Sequence, residues 1–301
     1  MSDNQFKIIG NMLKKIVYQI KQVFWLLLCL RVSEYRISKI PKGAYKGKKA
    51  MIMGNGPSLK DLLQNYREGM VNITEDSFFV NFAPLDDVFF LIKPKHYLLS
   101  DLGFSRDDPD YTPSLRLLYT RLQNKVDWDL TIYVTRKNKT LCDELVSYSQ
   151  ITNSHIKFIY VYKRYCDILQ PTWRHWLYKH GFFMPSEGTV VNTAIYIAIL
   201  EGYEEIELYG VDTDMFKYMF VDNDNVLYLE DNHFYGKEKI RGKQDISNEY
   251  SRVYEFLQTC CRMLRTYEML KLFADYMNVR IFNCTPYSMI DSFPRKPFFK
   301  K

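Results

Sequence analysis

Residues 48–60 read KKAMIMGNGPSLK, and this stretch decides the fold. The apolar run 50–53 suits a buried strand, Gly54 to Ser58 break it, and Leu59 to Leu63 begin a helical pattern. Two glycines allow a ligand to approach the backbone closely. The turn is expected to aim free amides and a helix N-terminus at one anion, with Ser58 as a cap. Asn55, Gly56, Pro57 and Ser58 are therefore candidate ligand contacts. The plain alternative is an ordinary strand-to-helix turn. The spacing is neither GxGxxG nor GxxxxGK[ST], so the usual dinucleotide and P-loop fingerprints do not apply.

Moving outward, further strands are expected at 77–81, 96–100, 130–134, 157–161, 205–209 and 279–283. Helical patterns fall at 58–64, 112–123, 139–149, 189–200 and 248–277. Alternation of this kind predicts an α/β, Rossmann-like domain with a mostly parallel sheet flanked by helices. In such sheets ligands bind beyond the carboxyl ends of strands. That rule selects Gly54 to Ser58, Asn81, Ser100 with Asp101, and Gly210 to Asp214. Residues 214–236 are rich in Tyr, Phe, Asp and Asn with poor periodicity, and read as a lid loop over the cleft or as a surface insertion.

The chain has 301 residues, enough for one large domain or two small ones, and a net charge of +6 with excess base at both ends. Its six cysteines show no CxxC pair and its five histidines no HExxH, which argues against a structural zinc site. Residues 1–31 place apolar side chains at helical spacing opposite Lys14, Lys15 and Lys21. The uninterrupted run 23–30 is far short of the roughly 20 residues a membrane span needs. An in-plane, membrane-associating helix or a packed N-terminal helix fits better. Residues 32–47 read as a basic linker, 48–292 as the Rossmann-like domain, and 293–301 as a basic aromatic tail suited to an anionic membrane surface. No nucleic-acid motif accompanies the basic ends.

The turn at 54–60 is joined by GTVVNTAIYIAILEGYEEIELY at 188–209, Gly210-Val211-Asp212, DNHFYG at 231–236 and the run 279–288. Together, over about residues 48–290, these resemble the bacterial sialyltransferases of glycosyltransferase family 42. They also resemble the related motility-associated nonulosonate transferases and 6-hydroxymethylpterin diphosphokinase-like proteins. The resemblance implies that Asn55, Gly56, Pro57, Ser58 and Asn81 hold the nucleotide of a CMP-activated sugar, with Ser186, Gly188, Thr189 and Gly210, Val211 and Asp212 completing the site. Departures are present: Ser100-Asp101 replaces a family asparagine, and Asp214 a phosphate-holding tyrosine, for which Tyr218 and Tyr228 are the nearby counterparts. Lys237 falls at the family's catalytic histidine, leaving His233 as the nearest one.

Glycosyl transfer needs a base for the acceptor hydroxyl, which His233, Asp212 or Asp214 could supply. A CMP-sugar donor needs no cofactor. With a nucleoside-diphosphate donor, Asp212 and Asp214 could hold Mg²⁺ or Mn²⁺. The expected function is a glycosyltransferase moving a sugar from a nucleotide-sugar donor to a glycan or lipid-linked acceptor in bacterial surface polysaccharide synthesis. Its expected place is peripheral, on the cytoplasmic face of the inner membrane, with room for a homo-oligomer. The alternatives are a Mg²⁺-dependent diphosphotransferase of the pterin type and a non-catalytic nucleotide-binding partner.

Overall fold

Strand order and the placement of helices explain where a ligand can enter. The computed structural model describes residues 40–296 apart from 101, 106–111, 168, 234–235 and 242–251, together with Val17, Ile20, Phe24 and Leu27; at 102, 230–233 and 236–241 it describes the backbone alone. The chain runs β1 (Lys49–Met53), α1 (Leu59–Arg67), β2 (Ser77–Val80), α2 (Val88–Ile92), β3 (His96–Leu99), α3 (Thr112–Lys125), β4 (Leu130–Arg136), α4 (Lys139–Ser149) and β5 (Ile156–Tyr162). It continues through α5 (Pro171–His180), α6 (Val190–Glu201), β6 (Glu205–Tyr209), β7 (Met219–Val221), β8 (Leu227–His233), β9 (Gly236–Arg241), α7 (Val253–Met277) and β10 (Arg280–Asn283).

Seven strands form one parallel sheet in the order β10-β6-β1-β2-β3-β4-β5. β2 and β3 are buried throughout, as apolar runs covered on both faces should be. One face of the sheet (Ile52, Phe78, Leu98, Leu208) packs on α5, α6 and α7. The other (Met53, Phe79, Tyr97, Val134) packs on α1 to α4. β6 differs. Its sequence alternates Glu-Ile-Glu-Leu-Tyr, so Ile206 and Leu208 enter the core while Glu205 and Glu207 lie on the opposite face. There Glu205 meets Lys49, Arg280 and Lys296, and Glu207 meets Lys296.

α6 is mostly apolar and buried from Val191 to Glu201, because it is sandwiched between the sheet and its neighbouring helices. Its C-terminal end lies at the amino end of the sheet, where Gly43 and Tyr45 donate to the carbonyls of Leu200 and Glu201. The last part of the expected linker is thus docked on the domain, with Tyr45 stacked on Tyr203 at 4.7 Å.

The described residues of 214–236 are more regular than the lid expected from their composition. They form a short 3-10 turn (Met215–Tyr218) and, with β9, an antiparallel sheet ordered β7-β8-β9. The hairpin is set by Asp222, whose carboxylate accepts from the amides of Asp224 and Val226, and by Asn225 at φ 58°.

The expected tail is also corrected in part. Phe293 is buried, Arg295 donates to the carbonyls of Thr285, Ser288 and Ile290, and Lys296 bridges to β6. These residues belong to the domain; 297–301 lie outside the described residues. Of the N-terminal helix, the four described residues are helical and exposed, and among the described residues no helix is long and apolar enough to cross a membrane.

Candidate functional site

From β1 the chain moves through the sheet toward β5, and it then returns to lay β6 on β1's other side. The carboxyl ends of β1 and β6 are therefore the topological switch point, where connections diverge and leave a crevice. The turns beyond these two strands meet there. Gly54 donates to the Tyr209 carbonyl and Gly56 to the Gly210 carbonyl, each at 2.8 Å. Neither glycine has room for a side chain: a Cβ on Gly54 would stand 2.3 Å from the Gly210 oxygen, and one on Gly56 would stand 1.9 Å from Asp212 Oδ2.

An open cleft of about 180 Å³ lies over this junction. Asn55, Gly56, Pro57, Asn81, Thr189, Gly210, Asp212 and Asp214 all line it, so the strand-end rule and the resemblance converge on one place. Three residues on its wall adopt left-handed backbone: Asn81 (φ 45°), Gly210 (φ 63°) and Thr213 (φ 54°). Such a conformation is costly for a β-branched residue like Thr213 and persists only where surroundings impose it.

The first turn offers fewer free amides to an anion than its sequence suggests. Gly54 spends its amide on the last residue of β6 and Gly56 on Gly210 just beyond it, and Leu59 and Lys60 spend theirs on the carbonyls of Gly56 and Pro57. Ser58 does not cap α1 through its side chain; its hydroxyl donates to Asp212 Oδ2 at 2.7 Å. The anion that this turn holds is Asp212. Burial raises the Asp212 pKa, the Ser58 bond opposes that, and the neighbouring Asp214 charge adds to it.

The open helix end is that of α6. Thr189 and Asn192 form a capping box, and Val190 and Val191, the first residues of the helix, line the cleft; amides in the first turn of a helix have no intrahelical carbonyl to satisfy them. Asn55 Oδ1, buried at the cleft, has no hydrogen-bond partner among the described residues. α7 walls the far side with Met263 and Tyr267, and the Tyr267 hydroxyl lies 3.1 Å from Thr189 Oγ1. Gly188 packs directly on α7, since a Cβ there would lie 2.6 Å from Met263 Cα.

Ser100 and Ser186 do not line the cleft. Ser100 bonds to Glu187, which also pairs with Lys163 at 3.0 Å and accepts from Tyr165 at 3.2 Å. Ser186 bonds to Asp167. Both serines anchor the segment that leads into α6. Asp101 lies outside the described residues. His233 ends β8, with its backbone paired to Gly236, and its side chain lies outside the described residues, as does that of Lys237. Tyr218 lines the cleft, whereas Tyr228 stacks on Phe220 at 5.4 Å.

A loop after β10 braces the cleft floor. Thr285 Oγ1 accepts from the Val211 amide at 3.0 Å, Ser288 donates to the Val211 carbonyl at 2.6 Å, and the Met289 amide bonds to the Asp212 carbonyl at 2.9 Å. Between these rivets Tyr287 stands 93% exposed at φ 54°. Sequence reading missed Thr285, Ser288, Lys163, Glu187 and Tyr267, because these meet the site only through tertiary contacts.

Asp212 and Asp214 provide two carboxylates on the cleft, and among the described residues no group of three Asp, Glu, His or Cys could hold a metal. A divalent ion held by these two carboxylates would complete its shell with water and the oxygens of a bound phosphate. No protein-family model matches the chain, and no curated protein matches it.

Proposed function

We propose that the chain is a glycosyltransferase that takes a nucleotide-activated sugar in the switch-point cleft and passes the sugar to a glycan or lipid-linked acceptor. The observation that carries this reading is the pairing of two unsatisfied features on one cleft: the open N-terminus of α6 and the partnerless Asn55 Oδ1. The first suits a phosphate, because helix-end amides and the helix dipole favour negative charge. The second suits a hydroxyl or amino donor on the nucleoside. The resemblance to the bacterial sialyltransferases supplies the donor class, a CMP-activated nonulosonate such as sialic acid.

In this reading the leaving phosphate rests on the α6 amides, with Tyr218 beside it. Asp212, held by Ser58 and raised toward working pH, takes the acceptor proton. His233 is the other base in the reading, and Asp212→Asn and His233→Ala separate the two by which one abolishes turnover at saturating donor. A CMP-sugar requires no metal. A UDP- or GDP-sugar would bring Mg²⁺ or Mn²⁺ to Asp212 and Asp214, where it would neutralise the departing diphosphate.

The acidic pair favours a second reading, a Mg²⁺-dependent diphosphotransferase using ATP. Calorimetry with CMP, UDP, GDP and ATP, each with and without Mg²⁺, tests both. Metal-independent CMP binding is expected. Metal-dependent UDP or GDP binding changes the donor, metal-dependent ATP binding promotes the diphosphotransferase, and no binding removes the transferase reading. Nucleotide binding without turnover would mark a non-catalytic partner. Peripheral attachment at the cytoplasmic face of the inner membrane, through the N-terminal helix, completes the proposal.

A further inference from the structure

We propose that the folded domain carries a membrane-docking face of its own, made by Trp173 and Trp176 of α5 with Leu272 and Tyr276 of α7, and that an anionic lipid surface covers it. The proposal stands whether or not the cleft takes a nucleotide sugar.

α5 buries Arg174, His175, Leu177 and Tyr178 against the core. Its outward side should then be polar. Instead Trp173 is 52% and Trp176 40% exposed, with Lys179 three residues farther on. Leu272 and Tyr276, one turn apart on α7, are exposed as well. The two helices are joined at this surface: the Tyr276 ring lies 5.3 Å from that of His175, and the Lys179 ammonium 6.0 Å from the Tyr276 ring centre. Trp176 in turn lies 4.3 Å from His180.

Tryptophan and tyrosine amid lysine are the chemistry of a lipid headgroup boundary, where amphipathic rings sit and basic side chains meet phosphate. Lys179 and His180 end α5, and Lys42 lies beside Gly181, its cap. The adjacent carboxylate of Asp275 is matched by Lys271 at 2.8 Å. Across a two-fold interface these basic groups would face their own copies, which disfavours a second chain as the occupant.

The N-terminal segment enters at the same end of the domain, since residues 43 and 45 bond to the end of α6 close to Lys42. Val17, Ile20, Phe24 and Leu27 are helical, exposed and spaced for one helix face. Two weak apolar surfaces on one molecule reinforce each other through effective concentration. α7 also walls the cleft with Tyr267, nine residues before Tyr276, about 14 Å along the helix. Docking would hold the cleft within reach of a lipid-linked acceptor.

The test is co-sedimentation of the full chain with vesicles of equal phosphatidylcholine and phosphatidylglycerol, compared with phosphatidylcholine alone. Trp173→Ala/Trp176→Ala should weaken partition onto the anionic vesicles by about tenfold, with an unchanged melting temperature. Lys179→Glu should weaken it on anionic vesicles only. Because the double variant alters the face itself, brominated-lipid quenching of a Trp25→Phe protein reads the contact with both α5 tryptophans intact, and strong quenching is expected. Wild-type partition by the double variant, absent quenching, or no binding of the full chain to anionic vesicles would each overturn the proposal. So would a loss of dimer mass in the double variant with vesicle binding unchanged, which would assign the face to a second copy.

Discussion

The Ser58 hydroxyl is bonded to Asp212 Oδ2 at 2.7 Å, joining the turn after β1 to the turn after β6. This bond favours the charged carboxylate against a burial that disfavours it. Ser58→Ala should therefore raise the Asp212 pKa further. If Asp212 is the base, activity is lost as pH falls through its pKa, and the acid limb of kcat/KM moves to higher pH in the variant. A pH–rate profile with an unmoved acid limb would remove Asp212 from that role.

Gly56→Ala forces a methyl group to within 1.9 Å of Asp212 Oδ2 and 2.8 Å of the Gly210 carbonyl. The junction must open, at a cost of about 1–3 kcal/mol typical of overpacking. Urea denaturation should show that loss, and calorimetry should show nucleotide binding reduced with it.

Glu187 and Lys163 form an ion pair that is largely shielded from water and ties the entry of α6 to the end of β3 through Ser100. Glu187→Ala leaves the Lys163 ammonium without its carboxylate and should cost about 3 kcal/mol. Replacing both partners with apolar residues should cost less. A double-mutant cycle measured by denaturation checks the difference.

At the opposite end of the sheet, His96 lies between the hydroxyls of Tyr133 and Tyr203 at 3.1 and 2.9 Å, with Glu201 bonded to Tyr133. Burial drives the His96 pKa down to about 3 and that of Glu201 up to about 8, from 6.5 and 4.5. Between about pH 3 and 4.5 the unfolded chain binds the extra His96 proton, so stability rises with pH. From 4.5 to 6.5 the two groups oppose each other. From 6.5 to 8 Glu201 alone acts, and stability falls as pH rises because the folded state holds its proton more tightly. Glu201→Gln removes this alkaline decline, a relative gain of about 2 kcal/mol between pH 6.5 and 8. Denaturation curves at the two pH values decide it.

Tyr287 holds a left-handed conformation with almost no side-chain contact to lose. Tyr287→Gly should stabilise the fold by about 1 kcal/mol. If the ring serves an acceptor, the same variant should raise KM for that acceptor and leave nucleotide affinity unchanged.

The central strands β2 and β3 were legible as short apolar runs because a doubly covered strand writes its burial directly into sequence, while β5, β6 and β10 showed as alternating patterns nearer the sheet margins. α2 was not legible, since five residues carry too little periodicity. α5 was hidden by its own outward tryptophans, which blur the apolar stripe that marks a helix. β7 and β8 were mistaken for a loop, although Asp222 to Asn225 is a turn signal. At the site, strand ends pointed to Asn55, Asn81 and Asp212, and the resemblance to Thr189, all of which the fold brings to one cleft. The same rule could not tell that Asp212 would claim the turn that an outside anion was expected to fill.

The bonds from the Asn283 amide to the Pro294 carbonyl, and from the Lys296 amide back to the Asn283 carbonyl, lay the chain's last described residues along β10. A parallel sheet ends in a row of unpaired backbone groups, and such a row recruits strands from other molecules. Residues 294–296 act as a guard rail on that margin, with Lys296 adding charge. A chain cut after Phe293 would bare the margin and lose the bonds of Arg295 and Lys296, and the result to expect is a fold both weaker and stickier, aggregating edge to edge.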